Sequence, residues 1–109
     1  MYIRFVIIQN GIYLKKKYFY GTKQDLLDGY IHLSARRQVK LTLKKHFFKK
    51  DNLILLKIRL LRLKSLKWEK STGTMSFPHL YSYLKKEDII SVHKAYLLKN
   101  GLHIIRSKY

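Results

Sequence analysis

Cysteine is absent from the 109 residues, which excludes disulfides and thiolate metal sites at once. Acidic residues are also scarce: six Asp and Glu stand against 24 Lys and Arg, for a formal net charge of +18. Proline occurs once, at Pro78. No apolar run approaches the roughly 18 residues of a membrane-spanning helix. The longest, Phe5-Val6-Ile7-Ile8 and Leu53 to Leu56, are strand-sized. Missing too are a Gly-rich phosphate loop and a G-x-S-x-G nucleophile turn. No two histidines are spaced i, i+4 or similarly close, so no metal site is expected. The first residues lack the charged, apolar and small-residue succession of a secretion signal. A cytoplasmic protein without membrane contact is therefore expected.

What is present supports a packed core. The chain is 47% hydrophobic and 14% aromatic, enough for one domain over residues 1–109. The basic excess would attract a polyanion such as nucleic acid. It is mostly lysine, however, and accompanies abundant Ile, Tyr, Leu and Phe, a mixture that A/T-rich codons also produce. Arginine, with its planar fork, is the more usual investment of a nucleic-acid reader. The charge is therefore open to both explanations, function and compositional drift.

Along the chain, β-branched and aromatic residues from Met1 to Tyr20 surround Asn10-Gly11, predicting a hairpin. Thr22, with Asp25 three residues on, predicts the cap of a short helix, T-K-Q-D-L-L. Asp28-Gly29 is a turn signal, and Tyr30 to Ser34 reads as a strand. Ser34 is placed to cap a helix over residues 35–50. Ala35, Val39, Leu43, His46 and Phe47 fall on one stripe of that helix, Leu41 and Phe48 on a second face that would also be covered. Arg36, Arg37, Lys40, Lys44, Lys45, Lys49 and Lys50 make it basic throughout. Leu53 to Leu60 reads as a strand, central where it is uninterrupted. After it come a turn or short helix over residues 60–67, a strand at Lys67-Trp68-Glu69 and a loop over residues 70–76. Pro78 marks F-P-H-L-Y-S-Y-L as an edge or irregular strand. A strand over Glu87 to Ala95 and a hairpin at Asn100-Gly101 into L-H-I-I-R complete an α+β domain, a small mixed or antiparallel sheet with one main helix.

Strand alternation puts Ile31 and Leu33 on one face and Tyr30, His32 and Ser34 on the other. Likewise Phe77, His79, Tyr81 and Tyr83 share a face, opposite Leu80 and Leu84. Two strands thus each offer a histidine flanked by hydroxyl or aromatic groups, and Trp68-Glu69 adds an aromatic surface and a scarce acid. Together they could line a cleft for a flat ring with polar handles. Each residue also has a structural reading: Ser34 as a cap, His32 and His79 as hydrogen-bonded ties, Trp68 as core and Glu69 as a surface ion pair. His46, His93 and His103 are read as structural.

In order and spacing, D-G-Y-I-H-L-S, A-R-R-Q-V, D-N-L-I-L-L-K-I, K-W-E and F-P-H-L-Y resemble the bacterial family called domain of unknown function 952 over about residues 18 to 96. The resemblance implies a small member of the ADP-ribosyltransferase-like fold, a split α+β architecture holding NAD in a central cleft. It places Tyr30, His32, Ser34, Trp68, Glu69, His79 and Tyr81 at motif positions. His32 and Glu69 would be the catalytic candidates and the other five the ligand-binding ones. Glu69 would polarise a ribose hydroxyl or stabilise a developing oxocarbenium, and any catalysis would be ADP-ribosyl transfer. Residues 1–17 diverge: Ile3 stands where the family usually has Lys or His, and Asn10 where a tryptophan is usual. That stretch is expected to be a helix forced by context, a hairpin or a disordered segment. The reading thus implies a nucleotide ligand, NAD among the possibilities. The alternatives are an RNA or polyanion binder using the Arg36 to Lys50 helix, and a decayed inactive copy. The nucleotide-binding reading requires His32, Ser34, Glu69 and His79 to converge around one cavity.

Overall fold

A computed structural model describes residues 2–11, 17–60, 65–70, 73 and 75–109. Strand β1 (Tyr2–Gln9) runs antiparallel to β4 (Leu53–Leu60), pairing Tyr2 with Leu60 through to Gln9 with Leu53. Next to β4 lies β8 (Ile89–Leu97), and then β9 (His103–Ile105), making a four-stranded antiparallel sheet in the order β1-β4-β8-β9. A second sheet of three strands is ordered β3 (Ile31–His32), β6 (Ser76–Leu80), β5 (Leu66–Lys70), and a third pairs β2 (Tyr18–Phe19) with β7 (Leu84–Lys85). The helices are α1 (Lys23–Asp28) and the main one, α2 (Val39–His46), which a 3-10 turn over Arg36–Gln38 introduces. The α+β expectation with mostly antiparallel pairing and one main helix is met.

The apolar runs are explained by burial on both faces of the four-stranded sheet. On one side Phe5, Ile7, Leu53 and Leu55 pack with Val39 and Leu43 of α2 and with Ala95. On the other, Val6, Ile8, Leu56, Ile58 and Leu60 pack with Phe19, Ile31, Leu33, Leu80 and Leu84 from the smaller sheets. Successive residues point to opposite faces, so a strand buried on both has no polar position to spare. Among the described residues, no helix is long and apolar enough to cross a membrane.

Several local expectations are corrected. Asn10 and Gly11 both adopt positive φ, 71° and 59°, as a tight turn requires. Strand β1 pairs with β4, and Tyr18 and Phe19, at the far end of the expected hairpin, pair with Lys85 and Leu84. A strand needing apolar neighbours on both faces finds one partner in Leu53–Leu60. Residues 12–16, the start of the expected return strand, lie outside those described, as does most of the expected turn after Leu60. The helical alternative for residues 6–17 is excluded over Val6 to Gln9, which are strand.

Ser34 does not cap the helix. Ala35 holds the N-cap position of the 3-10 turn, where the Gln38 side chain accepts the Ala35 N–H at 3.0 Å. The helix stops at His46 rather than Lys50: Phe47 already leaves the helical region at φ −126° and ψ 14°, and Lys49 then takes a left-handed φ of 63°. Its second apolar face stays open, with Leu41 and Phe48 exposed. Pro78 lies in the central strand of its sheet, not at an edge. The Pro78 carbonyl accepts from the Leu33 N–H at 3.0 Å, so the N–H it lacks falls on the β3 side. There the chain leaves β6, and Ser34 exchanges backbone hydrogen bonds with Phe5 of β1 instead.

Candidate functional site

Helix α1 positions the first part of the site. The Thr22 hydroxyl accepts the Asp25 N–H at 3.2 Å while Asp25 Oδ2 accepts the Thr22 N–H at 2.9 Å, a reciprocal cap. Gly29 closes the helix in the left-handed region at φ 85°, turning the chain into β3. Asp25 is almost fully buried, and its other oxygen, Oδ1, accepts both the His32 backbone N–H at 3.3 Å and His32 Nδ1–H at 2.5 Å. Asp28 Oδ2 stands 3.2 Å from His32 Nε2. The imidazole is thus held between two carboxylates. The Asp25 hydrogen bond raises its pKa above the usual value, the charges of Asp25 and Asp28 add to this, and burial opposes it.

Strands β5 and β6 supply the second part. His79 is buried, and its Nδ1–H donates to Glu69 Oε1 at 3.0 Å, a carboxylate being an acceptor only. The Tyr81 hydroxyl donates to the same oxygen at 2.6 Å. These two donors, Tyr81 first, lower the pKa of the partly exposed Glu69. The Glu69 hydrogen bond in turn pushes the Tyr81 phenol up to about 12. Glu69 therefore stays ionised near neutrality, with no partner on its Oε2 among the described residues. His79 Nε2 is buried with no hydrogen-bond partner among the described residues. An orphaned buried polar atom of this kind costs on the order of 1–3 kcal/mol and calls for an explanation.

Tyr30 joins the two parts. Its ring stacks on His79, centroids 4.0 Å apart and 14° from parallel, and lies 4.7 Å from His32 and 5.2 Å from Tyr81. Burial is the first cause of its raised pKa, followed by the charges of Asp28, Glu69 and Asp25. His32 and His79 face each other across β3 and β6 with centroids 5.6 Å apart.

Of the residues singled out from sequence, Tyr30, His32, Glu69, His79 and Tyr81 converge, and Ser34 and Trp68 do not. The Ser34 hydroxyl is buried against that of Thr42 in α2, at 2.9 Å. Alternation along β5 sends Trp68 to the face opposite Glu69, beside Arg4 and Arg37. Sequence reasoning missed Asp25 and Asp28 as partners of His32, because the cap signal absorbed Asp25 and the turn signal Asp28. Their placement one helix before the I-H strand was the available clue. Gln38 was missed too: buried, it donates through Nε2 to the Ser76 carbonyl at 2.7 Å and ties the helix start to β6.

A family model described as a protein of unknown function, DUF952, matches residues 10–92. The crystal structure of protein CC0527 from Caulobacter crescentus superposes with a TM-score of 0.84 at 33% identity, covering 94% of each chain. A crystal structure of a double mutant of that protein gives 0.84 at 32% identity over the same shares. Its solution NMR structure gives 0.79 at 34%, covering 94% of this chain and 91% of that one. No curated protein matches the chain.

Proposed function

The chain belongs to the DUF952 family, and we propose that it binds the nicotinamide-riboside end of NAD, or a closely similar pyridinium riboside, on the face joining Tyr30, His32, Glu69, His79 and Tyr81. The observation that carries this reading is the sharing of one carboxylate oxygen by His79 and Tyr81, with Tyr30 stacked on the same histidine. An ionised Glu69 with a spare oxygen can accept a ribose hydroxyl, and the exposed Tyr81 ring, with Lys67 Nζ 5.3 Å from its centroid, borders the same face. Three of the six acids, Asp25, Asp28 and Glu69, gather here, with the Lys67 ammonium beside the Tyr81 ring, and this carboxylate excess favours a cationic ring with hydroxyls over a phosphate. His32, with a carboxylate at each ring nitrogen, orders the wall rather than reaching for phosphate. The ADP-ribosyltransferase-like relationship belongs to this same reading. If the site transfers ADP-ribose, Glu69 is the residue placed to support it.

The test is an NMR titration with nicotinamide riboside, NAD and ADP-ribose. The first two are expected to shift Tyr30, His32, His79 and Tyr81, ADP-ribose much less, and Glu69→Gln to weaken binding by roughly tenfold or more. Shifts absent from these residues, or an unaffected Glu69→Gln protein, would overturn the assignment. A second reading is favoured by the exposure of Arg36, Arg37, Lys40 and Lys44 along the start of α2, a surface suited to RNA or another polyanion. That binding would weaken steeply with salt and survive His32→Ala.

A further inference from the structure

Away from the motif residues, a cavity of about 430 Å³ is lined by Ile3, Arg4, Phe5, Ala35, Arg36 and Arg37. Its charged members are all guanidinium groups and its remaining walls are apolar. Arg36 and Arg37 have no carboxylate partner among the described residues. Aromatic rings hold the guanidiniums in place: Arg4 lies 5.1 Å and Arg37 5.8 Å from the Trp68 ring, and Arg36 lies 5.5 Å from that of Phe5. A guanidinium this close to a ring is attracted to it without using its N–H groups, which stay available to an anion. Arg4 spends one of those groups on its own neighbour, donating to the Ile3 carbonyl at 2.7 Å.

We propose that this pocket binds a phosphate monoester carrying a small organic group, of the class of a nucleoside monophosphate. Arg36 and Arg37 grip the phosphate, and the organic group rests against half-buried Ile3, beneath which Phe5 and Ala35 are buried. Cooperating guanidiniums match the paired oxygens of a phosphate. The volume falls within the range of small-molecule sites, roughly 300–1,000 Å³, and is far more than a bare phosphate fills. Trp68 is a positioning residue that keeps Arg4 and Arg37 aligned. The proposal is independent of the pyridinium-riboside reading, since it uses neither His32 nor Glu69 and lies on the other face of β5.

Trp68 is the chain's single tryptophan, so its fluorescence reports on the pocket directly. The full chain is titrated with AMP and with adenosine, alongside the variants R36Q/R37Q, K40Q/K44Q and E69Q. AMP is expected to change the Trp68 emission, and adenosine to bind at least ~tenfold more weakly. R36Q/R37Q should lose ~tenfold or more in AMP affinity, while K40Q/K44Q, which removes the same charge from the neighbouring helix surface, stays within about twofold. Both arginines are exposed, so R36Q/R37Q keeps its fold, read from an unchanged thermal midpoint. Equal binding of AMP and adenosine would overturn the proposal, as would an equal loss in K40Q/K44Q, which would assign the binding to the general positive field. AMP binding lost in E69Q but intact in R36Q/R37Q would move the ligand to the motif face and overturn it as well.

Discussion

His32 shows how far neighbours can redirect a side chain. Its place on the polar face of Tyr30 to Ser34 is readable from strand alternation, but its two carboxylate partners come from the preceding helix. The raised pKa has a thermodynamic consequence. A histidine whose folded value exceeds its unfolded one adds stability that is fully present below the unfolded value, about 6.5. That stability is lost as pH rises through the folded value. His46 and His93 act in the opposite sense: burial first, then neighbouring charges, lysines among them, lower their pKa values. The His32 contribution is therefore isolated by comparing the protein with His32→Gln in urea unfolding. The stability gap is expected to be widest near about pH 5.5 and to shrink as pH rises through the folded pKa. A gap that widens with pH would show that the clamp does not favour the charged ring. At the same scale Ser34 illustrates the limit of alternation, because β3 ends at His32 and the chain then turns to β1, carrying the hydroxyl to Thr42.

Elements were legible wherever the signal was chemical and local. The Thr22 cap forms with the reciprocal bond to Asp25, and Asn100-Gly101 closes the β8–β9 hairpin, with the Leu98 N–H donating to the Leu102 carbonyl at 2.8 Å. Asn10-Gly11 carries the same dipeptide and both residues take positive φ, while β1 has the distant β4 as a partner, a pairing that no local turn signal encodes. Gly101 is needed twice over. Its φ is 88°, and a Cβ there would come within 2.6 Å of the Phe48 ring. Gly101→Ala is expected to cost more than about 1 kcal/mol in denaturant unfolding. Adding Phe48→Ala should recover the ring's share of the steric part, leaving the 2.9 Å approach to Lys49 Cγ and the backbone part. If Gly101→Ala alone proves neutral, the ring contact is not a constraint.

For the whole molecule, the net charge of +18 sets the background on which both proposed sites act. Acids concentrate at the motif face, so the rest of the surface repels itself more than composition alone suggests. Raising NaCl from about 20 to 300 mM should screen that repulsion and raise the melting temperature by a few degrees, with about 1 kcal/mol corresponding to roughly 4–8 °C in a domain near this size. A melting temperature that falls with salt would mean that ion pairs outweigh repulsion.

By itself, the sequence determined the α+β class, the strands buried on both faces and the separate face carrying Tyr30 and His32. Each of these is a matter of periodicity or of a residue's own conformational preference, and both act over a few neighbouring positions. Only the tertiary structure decided that β1 pairs with β4 and that Pro78 sits in a central strand. It alone brought Asp25 and Asp28 to His32 and set Trp68 beside arginines rather than beside Glu69. These depend on which distant surfaces bury each other, and that choice minimises exposed apolar area over the whole chain rather than within any segment of it.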